Sequence, residues 1–416
     1  MMSTIPKEFL KIVESMPGVD AAAFSVAMSE APAVSVKLNR RKCDDITELG
    51  YGPLAPVKWC SSGFYLDERP QFTLNPLLHA GVFYVQDASS MVHEEIVRRL
   101  FAGGVLDATS VVADFCAAPG GKTTSIINAL PDGVMVVANE FEPRRAVILK
   151  ENLLKWGYPD IVVTNSPTSR LASLGEVFDL VAVDAPCSGE GMMRKDETAR
   201  TQWNPGLVTK CAALQREILA DAVATLKPGG VLIYSTCTFN STEDEDNVSW
   251  IAAESGLEPV DMELPAEWGI GASVSPDVPA LRFMPHLTRG EGLFVAVLRK
   301  PGESAATNRR KLSYALRKQT RVILDGIPTV TLKGKLEIPA SEWTLAVDFP
   351  KDKYPHAELS EETALSCLRH EAITLSADAP KGYVVVCYKG HPLGFVKNIG
   401  NRANNLFPAN WKIKFL

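Results

Sequence analysis

Residues 114–125 read DFCAAPGGKTTS. The run follows the apolar stretch Val111–Phe115 and opens a helical pattern, so it marks a strand-to-helix joint. In an open α/β sheet a ligand binds at such a joint, outside the carboxyl end of the first strand. Gly121-Lys122-Thr123 matches the end of the triphosphate motif G-x-x-x-x-G-K-[ST], but its first glycine falls on Cys116. A side chain at that point opposes a tight wrap around ATP phosphates. Gly120 and Gly121 instead let the main chain approach a cofactor closely. A carboxylate about 20 residues further on would hold ribose hydroxyls, and Glu140 stands there in VVANEFEPRR. The plainer reading of Glu140 is an acid at a helix start. The pattern suits an adenosine-bearing cofactor without a triphosphate: S-adenosylmethionine, with NAD as the competitor.

The surrounding chain sets the fold class. Apolar runs at Val111–Phe115, Val134–Asn139, Ile161–Thr164, Phe178–Asp184, Val231–Thr236 and Leu293–Leu298 alternate with helical patterns at Thr123–Leu130, Pro143–Trp156 and Leu207–Leu226. The last helix ends at KPGG, residues 227–230. This alternation predicts an α/β protein with a mainly parallel twisted sheet, whose strands are apolar throughout because both faces are covered. Residues 1–75 lack the rhythm and carry a basic knot, KLNRRK at 37–42. Residues 301–312 read as a polar linker, and 313–416 as a small β-rich domain containing KGYVVVCYKG and WKIKFL.

Two cysteines fall just beyond neighbouring strands: Cys187 in FDLVAVDAPCSGEGMMRKD and Cys237 in GGVLIYSTCTFNSTEDED. One parallel sheet brings both to the edge that carries Gly120 and Gly121. Either alone reads as a buried structural thiol. As a pair in polar turns they point to covalent catalysis. Carbon 5 of cytosine is a poor nucleophile, and thiolate addition at C6 would make it enamine-like and able to attack a methylsulfonium. Asp184 is placed to supply an acid near N3. The acids at 242–245 read as a capping box, Thr242 to Glu245, rather than a metal site. Trp59 reads as packing rather than base stacking.

At these residues the chain resembles the RNA cytosine-C5 methyltransferases of the Sun (Fmu) type, in their bacterial rRNA methyltransferase F branch. The likeness lies in DFCAAPGGKTT, DAPCSGEGMMRKD and YSTCTFNSTEDEDNV, flanked by GVFYVQDASSM at 81–91 and MPHLTRGEGLFVAVL at 284–298. HPLGFVKNIGNRANNLFP resembles that branch's PUA-like tail, at about 370–416. The resemblance implies a Rossmann-like class I methyltransferase domain over 76–300, an N-terminal RNA-binding region and a C-terminal RNA-binding domain. It implies S-adenosylmethionine as cofactor, Cys237 as nucleophile at C6 and Cys187 as the group assisting release. Cys116, Ala117, Ala118, Pro119, Gly120, Gly121, Lys122, Glu140, Arg145 and Asp184 would contact the cofactor. Where the family has an aspartate for the adenine amino group, this chain has Pro167, which offers neither a carboxylate nor an N–H. Asn165 or Ser166 would have to serve instead.

Composition bounds the rest. Hydrophobic residues make up 46% and charged residues 22% of 416, which is ordinary for a soluble protein of two or three domains. No run is long enough to span a bilayer, and MMSTIPKEFLKIVESMPG reads as an amphipathic helix, not a signal peptide. A cytoplasmic monomer is expected. The eight cysteines include no C-x-x-C pair and no zinc-ligand spacing, so free thiols and no metal are expected. Net charge is −6, yet 307–321 and 381–416 each hold six basic residues and no acid, the footprint of a phosphate backbone or of a solvated face. The expected activity is cytosine-C5 methylation of structured RNA, 16S rRNA foremost. The alternatives are a tRNA substrate, an inactive RNA-binding assembly factor and a P-loop NTPase.

Overall fold

The computed structural model describes residues 5–414 apart from positions 53 and 304. The N-terminal helix runs over Lys7–Ser15 and stops before Pro17-Gly18, as its pattern predicts; residues 1–4 lie outside the description. It buries Phe9 and Val13, and Phe9 packs on Phe24, Trp203 and Phe239. An antiparallel sheet follows. β1 (Val34–Leu38) lies between β3 (Cys60–Leu66) and β4 (Phe83–Val85), with β2 (Ala55–Val57) outside β3. Because β4 closes this sheet, the N-terminal unit runs to Val85, beyond the boundary expected at 75.

The central sheet contains β5 (Val111–Asp114), β6 (Met135–Asn139), β7 (Ile161–Thr164), β8 (Phe178–Asp184) and β9 (Leu226–Thr236), all parallel, in the order β7-β6-β5-β8-β9. Beyond β9 the sheet turns antiparallel. β10 (Glu258–Val260), β11 (Gly271–Ala272) and β12 (Leu281–Phe283) lie on the side of β13 (Leu293–Arg299), which pairs with β9. Alternate residues feed two cores, one per face. Val112, Val136, Leu180 and Ile233 join one, while Val111, Val137, Val181 and Leu232 join the other. The order reverses at β5, so the ligand crevice of this α/β sheet opens above β5 and β8. KPGG lies inside β9, where the register against β8 shifts, and the preceding helix already ends at Thr225.

The stretch expected as a linker is structured at its end. A helix starts at Arg309 and runs to Gln319, burying Leu312 and Leu316 in the second core. β14 (Val322–Asp325) then pairs antiparallel with β7 and completes the central sheet. Chain assigned by sequence to the last domain therefore belongs to the central sheet. After a hairpin of β15 (Val330–Lys333) and β16 (Leu336–Pro339), the C-terminal sheet orders β17 (His356–Glu358), β18 (Gly382–Tyr388), β19 (His391–Asn398) and β20 (Ala403–Asn405). WKIKFL is not a strand as far as Lys414; Ala409–Trp411 form one 3-10 turn, and residues 415–416 lie outside the description. Among the described residues no helix is long and apolar enough to cross a membrane.

The basic knot bolts the N-terminal sheet to the catalytic unit. Lys37 is fully buried, and its Nζ donates to Gly121 O at 3.1 Å, Thr124 Oγ1 at 3.0 Å and Ser125 Oγ at 2.6 Å. Arg41 donates to Ile127 O and Leu130 O, and Lys42 to Ala80 O and Lys155 O. These cations close gaps between carbonyl groups rather than forming a free basic face. In the C-terminal basic run Arg309 is likewise engaged, donating to Gly133 O and Ala108 O.

His79 ends the helix Pro76–His79, and burial holds its imidazole down to about 4. The unfolded chain takes up this proton near 6.5, the folded chain only near 4. Between those values the unfolded state binds more protons, so stability falls as pH drops through the window. His79→Gln keeps a donor for Thr73 O, which lies 2.9 Å from His79 Nε2, but does not titrate. Urea denaturation from pH 7 to 4 should show wild type losing about 1–3 kcal/mol more than His79→Gln. Parallel curves would refute the buried neutral histidine.

Candidate functional site

The ends of β5, β6, β8 and β9 build the candidate site. β5 ends in Asp114, and the loop Phe115–Gly120 leads into the helix Gly121–Ala129. Gly120 has φ +110, where a β-carbon would be strained and would meet Leu149 Cδ1 at 3.3 Å. Its glycine is thus required by backbone and space together. Asp114 was not singled out by sequence. It is buried, accepts from Thr123 Oγ1 at 2.6 Å and leaves Oδ1 without a partner. Burial raises its carboxyl to about 7. The signal available was a lone acid ending an apolar strand directly before the glycine loop.

Glu140 follows β6, as expected. Its Oε1 accepts from Glu142 N at 2.9 Å. Its Oε2 faces Arg145 at 3.2 Å in ion-pair contact but has no aligned hydrogen-bond donor. Arg145 also donates to Ala118 O at 2.7 Å and so ties the loop to Glu140. Asn165 and Ser166 are engaged elsewhere. Asn165 Nδ2 donates to Glu140 O at 2.8 Å and Phe141 O at 2.9 Å, while its Oδ1 accepts from Arg321 at 3.2 Å. Ser166 is buried and its Oγ accepts from Arg321 N. Pro167 precedes the short helix Thr168–Ala172. Asn165 therefore braces the strand end that carries Glu140 and spends no free donor on a base.

Beyond β8 and β9, Cys187 Sγ and Cys237 Sγ lie 3.1 Å apart, a hydrogen-bonded thiol contact. It is far longer than a disulfide bond of about 2.05 Å. The hydrogen bond with Cys237, and then burial, hold Cys187 well above the ordinary thiol range. Beside the pair, Lys122 Nζ lies 2.8 Å from Asp184 Oδ2, and Ser235 Oγ donates to Asp184 Oδ1 at 3.0 Å. Burial acts to discharge Lys122, but Asp184 outweighs it and raises the lysine pKa. Cys116, at the start of the glycine loop, is kept protonated by burial and by Asp114, Asp184 and Glu140. An open groove of about 850 Å³ runs past Ser35, Arg69, Gln86, Asp87, Met192 and Lys195, between the N-terminal sheet and the turn after Cys187.

The cysteine turns are cross-braced by buried carboxylates. Glu190, from the Cys187 turn, accepts from Phe239 N, Asn240 N, Asn240 Nδ2 and Trp203 Nε1. Glu243, from the Cys237 turn, accepts from Ser188 N at 2.9 Å and Gln215 Nε2 at 2.8 Å. Gly191 N donates to Cys237 O at 2.8 Å. The expected capping box is absent. Thr242 is exposed, Asp244 is the residue before the helix Glu245–Ser255, and neither side chain caps it. Instead Asp244 accepts from Thr236 and Thr238, and Glu245 pairs with Arg282 at 2.5 Å. Arg282 donates onward to Phe239 O at 2.8 Å. The capping pattern fails because three consecutive acids find buried donors, which a surface motif cannot foresee. Trp59 packs as expected, on Phe283, and donates to Ala88 O.

Arg282→Met should therefore strand two buried carboxylates and cost about 3 to 5 kcal/mol of stability in urea. Adding Asp244→Asn and Glu245→Gln should recover much of it. A loss below about 1 kcal/mol for the single variant would show that Arg282 does not hold this network.

The comparisons agree with this architecture. Residues 106–299 match the family described as 16S rRNA methyltransferase RsmB/F, residues 5–88 the N-terminal domain of 16S rRNA methyltransferase RsmF, and residues 354–413 the RsmF PUA domain. The chain is 29% identical to a ribosomal RNA small subunit methyltransferase F of Erwinia tasmaniensis, over 97% of this chain and 96% of that one. It is 31% identical to the Shewanella loihica protein of the same name, over 85% and 83%. A methyltransferase homolog from Pyrococcus horikoshii superposes with a TM-score of 0.60 at 25% identity, covering 71% of this chain and 95% of that one. With its Rossmann-like sheet, N-terminal domain and C-terminal PUA domain, the chain belongs to the RsmF branch of the RsmB/F methyltransferase family.

Proposed function

We propose that the protein transfers a methyl group from S-adenosylmethionine to carbon 5 of a cytosine in small-subunit ribosomal RNA, through a covalent bond between Cys237 and C6. The observation that carries this reading is the pair of sulfurs 3.1 Å apart beside the Lys122–Asp184 ion pair. The residues present fit the cofactor. Gly120 and Gly121 keep the end of the loop that follows β5 free of β-carbons, and the buried Glu140 Oε2 atom lacks a hydrogen-bond donor that a ribose hydroxyl would supply. When bound, S-adenosylmethionine supplies an electrophilic methyl group on sulfonium sulfur.

The chain's own groups do the rest. The target base leaves its stack to enter the site. The sulfur of Cys237 is the attacking atom, and its proton passes to the Asp184 carboxylate as the bond to C6 forms. That bond pushes the C5–C6 electrons toward N3, and Asp184 hands the proton to N3, leaving C5 enamine-like and able to take the methyl group. Once C5 is methylated, its proton passes to Cys187 as the Cys187 thiol proton moves to the departing Cys237 sulfur. The Cys237–C6 bond breaks, the C5–C6 double bond re-forms, and N3 releases its proton to solvent. The braces from Glu190 and Glu243 keep both sulfurs in register through these steps, because orientation is where such a site gains most of its rate. The groove past Gln86 and Lys195, beside the turn that follows Cys187, would seat the RNA strand.

The test uses labelled S-adenosylmethionine with 16S rRNA, assembled small subunits and tRNA in parallel. Wild type should label the small-subunit RNA, with the methyl group at C5 by mass spectrometry. Cys237→Ala should label nothing and form no adduct, while Cys187→Ala should accumulate a protein–RNA complex stable to denaturant. Continued methylation by Cys237→Ala would overturn the nucleophile assignment, and labelling of tRNA alone would overturn the substrate. Asp184→Asn should slow transfer by about 100-fold or more. An unchanged rate in that variant would remove Asp184 from the chemistry.

A further inference from the structure

The seam between the N-terminal unit and the C-terminal sheet carries a cluster outside the catalytic site. Cys43, Glu48 and His391 each present one donor atom, and the three atoms lie within 4.8 Å of one another. The N-terminal pair is brought together by a short turn. Asp45 Oδ1 accepts from Thr47 N at 2.9 Å and caps the 3-10 turn Ile46–Leu49, which swings Glu48 back toward Cys43. His391 opens β19, directly after the turn in which Lys389 has φ +50 and Gly390 φ +76. Lys389 Nζ donates to Glu48 O at 2.8 Å and docks that turn on the N-terminal unit. His391 Nε2 then lies 2.8 Å from Glu48 Oε2. The Cys43 thiol is buried and donates to Asp45 O at 3.2 Å.

We propose that Cys43, Glu48 and His391 bind one divalent transition-metal ion of the zinc class, which clasps the first unit of the chain to its last. The donor set selects the metal. One sulfur, one imidazole nitrogen and one carboxylate oxygen suit zinc or cobalt, whereas calcium and magnesium take oxygen donors. Bonds of about 2.0–2.3 Å to a central ion need donors somewhat closer together than the limit observed, a change within reach of small side-chain rotations. Thiolate and carboxylate together balance the ion's two positive charges. On binding, Cys43 gives its proton to solvent and the ion replaces the contact between Glu48 and His391. Glu48 and His391 are half-buried, which leaves an entry path and room for water as fourth ligand. No local spacing in the sequence announces such a site, because Cys43 and His391 stand near opposite ends of the chain.

The test is cobalt(II) titration of the full-length, chelator-treated protein. It is followed by the thiolate-to-cobalt charge-transfer band, alongside zinc titration by calorimetry. About one equivalent should bind with a thiolate band, and zinc should displace it. The band should disappear in Cys43→Ser and in His391→Asn, each checked for an unchanged far-ultraviolet spectrum. It should persist in the Cys187→Ala/Cys237→Ala double variant, which separates this site from the catalytic sulfurs and makes the outcome independent of methyl transfer. Zinc should raise the thermal midpoint of wild type and leave that of Cys43→Ser unmoved. Absence of a band in wild type, survival of the band in either single variant, or its loss in the double variant would overturn the proposal.

Discussion

Everything at the reactive edge depends on two turns being held against each other without a covalent link. β8 and β9 run parallel and end side by side, but parallel pairing stops at Asp184 and Ser235. Past that point one more ladder bond, Ala185 N to Ser235 O, remains, and the other N–H groups of the two turns need side-chain acceptors. Glu190 and Glu243 take over, each reaching across from its own turn to the other's backbone. Such buried acceptors are costly when left unmatched and firm when every donor is filled. Behind them Arg282 balances Asp244 and Glu245 and grips Phe239 O. The sulfur contact is thus the visible end of a buried polar frame.

Much of this was legible in the sequence, and the reasons differ from part to part. The parallel strands announce themselves because burial on both faces leaves apolar runs such as Val111–Ala113 and Leu180–Val183. The glycine loop and the cysteine turns are short, local patterns at strand ends, so their placement on one edge follows from topology alone. The acids at 243–245 were misread because key partners, Gln215 and Arg282, come from two other elements distant in sequence. β14 was missed for a similar reason. A short strand of mixed burial carries little periodicity, and its identity comes from the open edge of β7 that receives it.

The charge pattern was the least faithful guide. Lys37, Arg41 and Lys42 form the basic knot of the N-terminal region, and each reaches carbonyl or hydroxyl oxygens of the central sheet's helices. A long aliphatic stem allows a cation to cross a buried gap and satisfy several acceptors at its tip, which composition cannot distinguish from a solvated charge. Lys37 in particular ends on the first turn of the helix that follows the glycine loop. The N-terminal sheet and the glycine loop are therefore one packed body.

The edge strand β14 also sets an order on synthesis. β7 leaves the ribosome long before β14, and until Val322–Asp325 emerges its outer row of N–H and C=O groups has no strand to pair with. An open edge of this kind is a template for pairing with another chain. During translation the nascent sheet is exposed to misassembly on that flank through the making of β8, β9 and β13. Only the arrival of the segment beyond the catalytic motifs seals it.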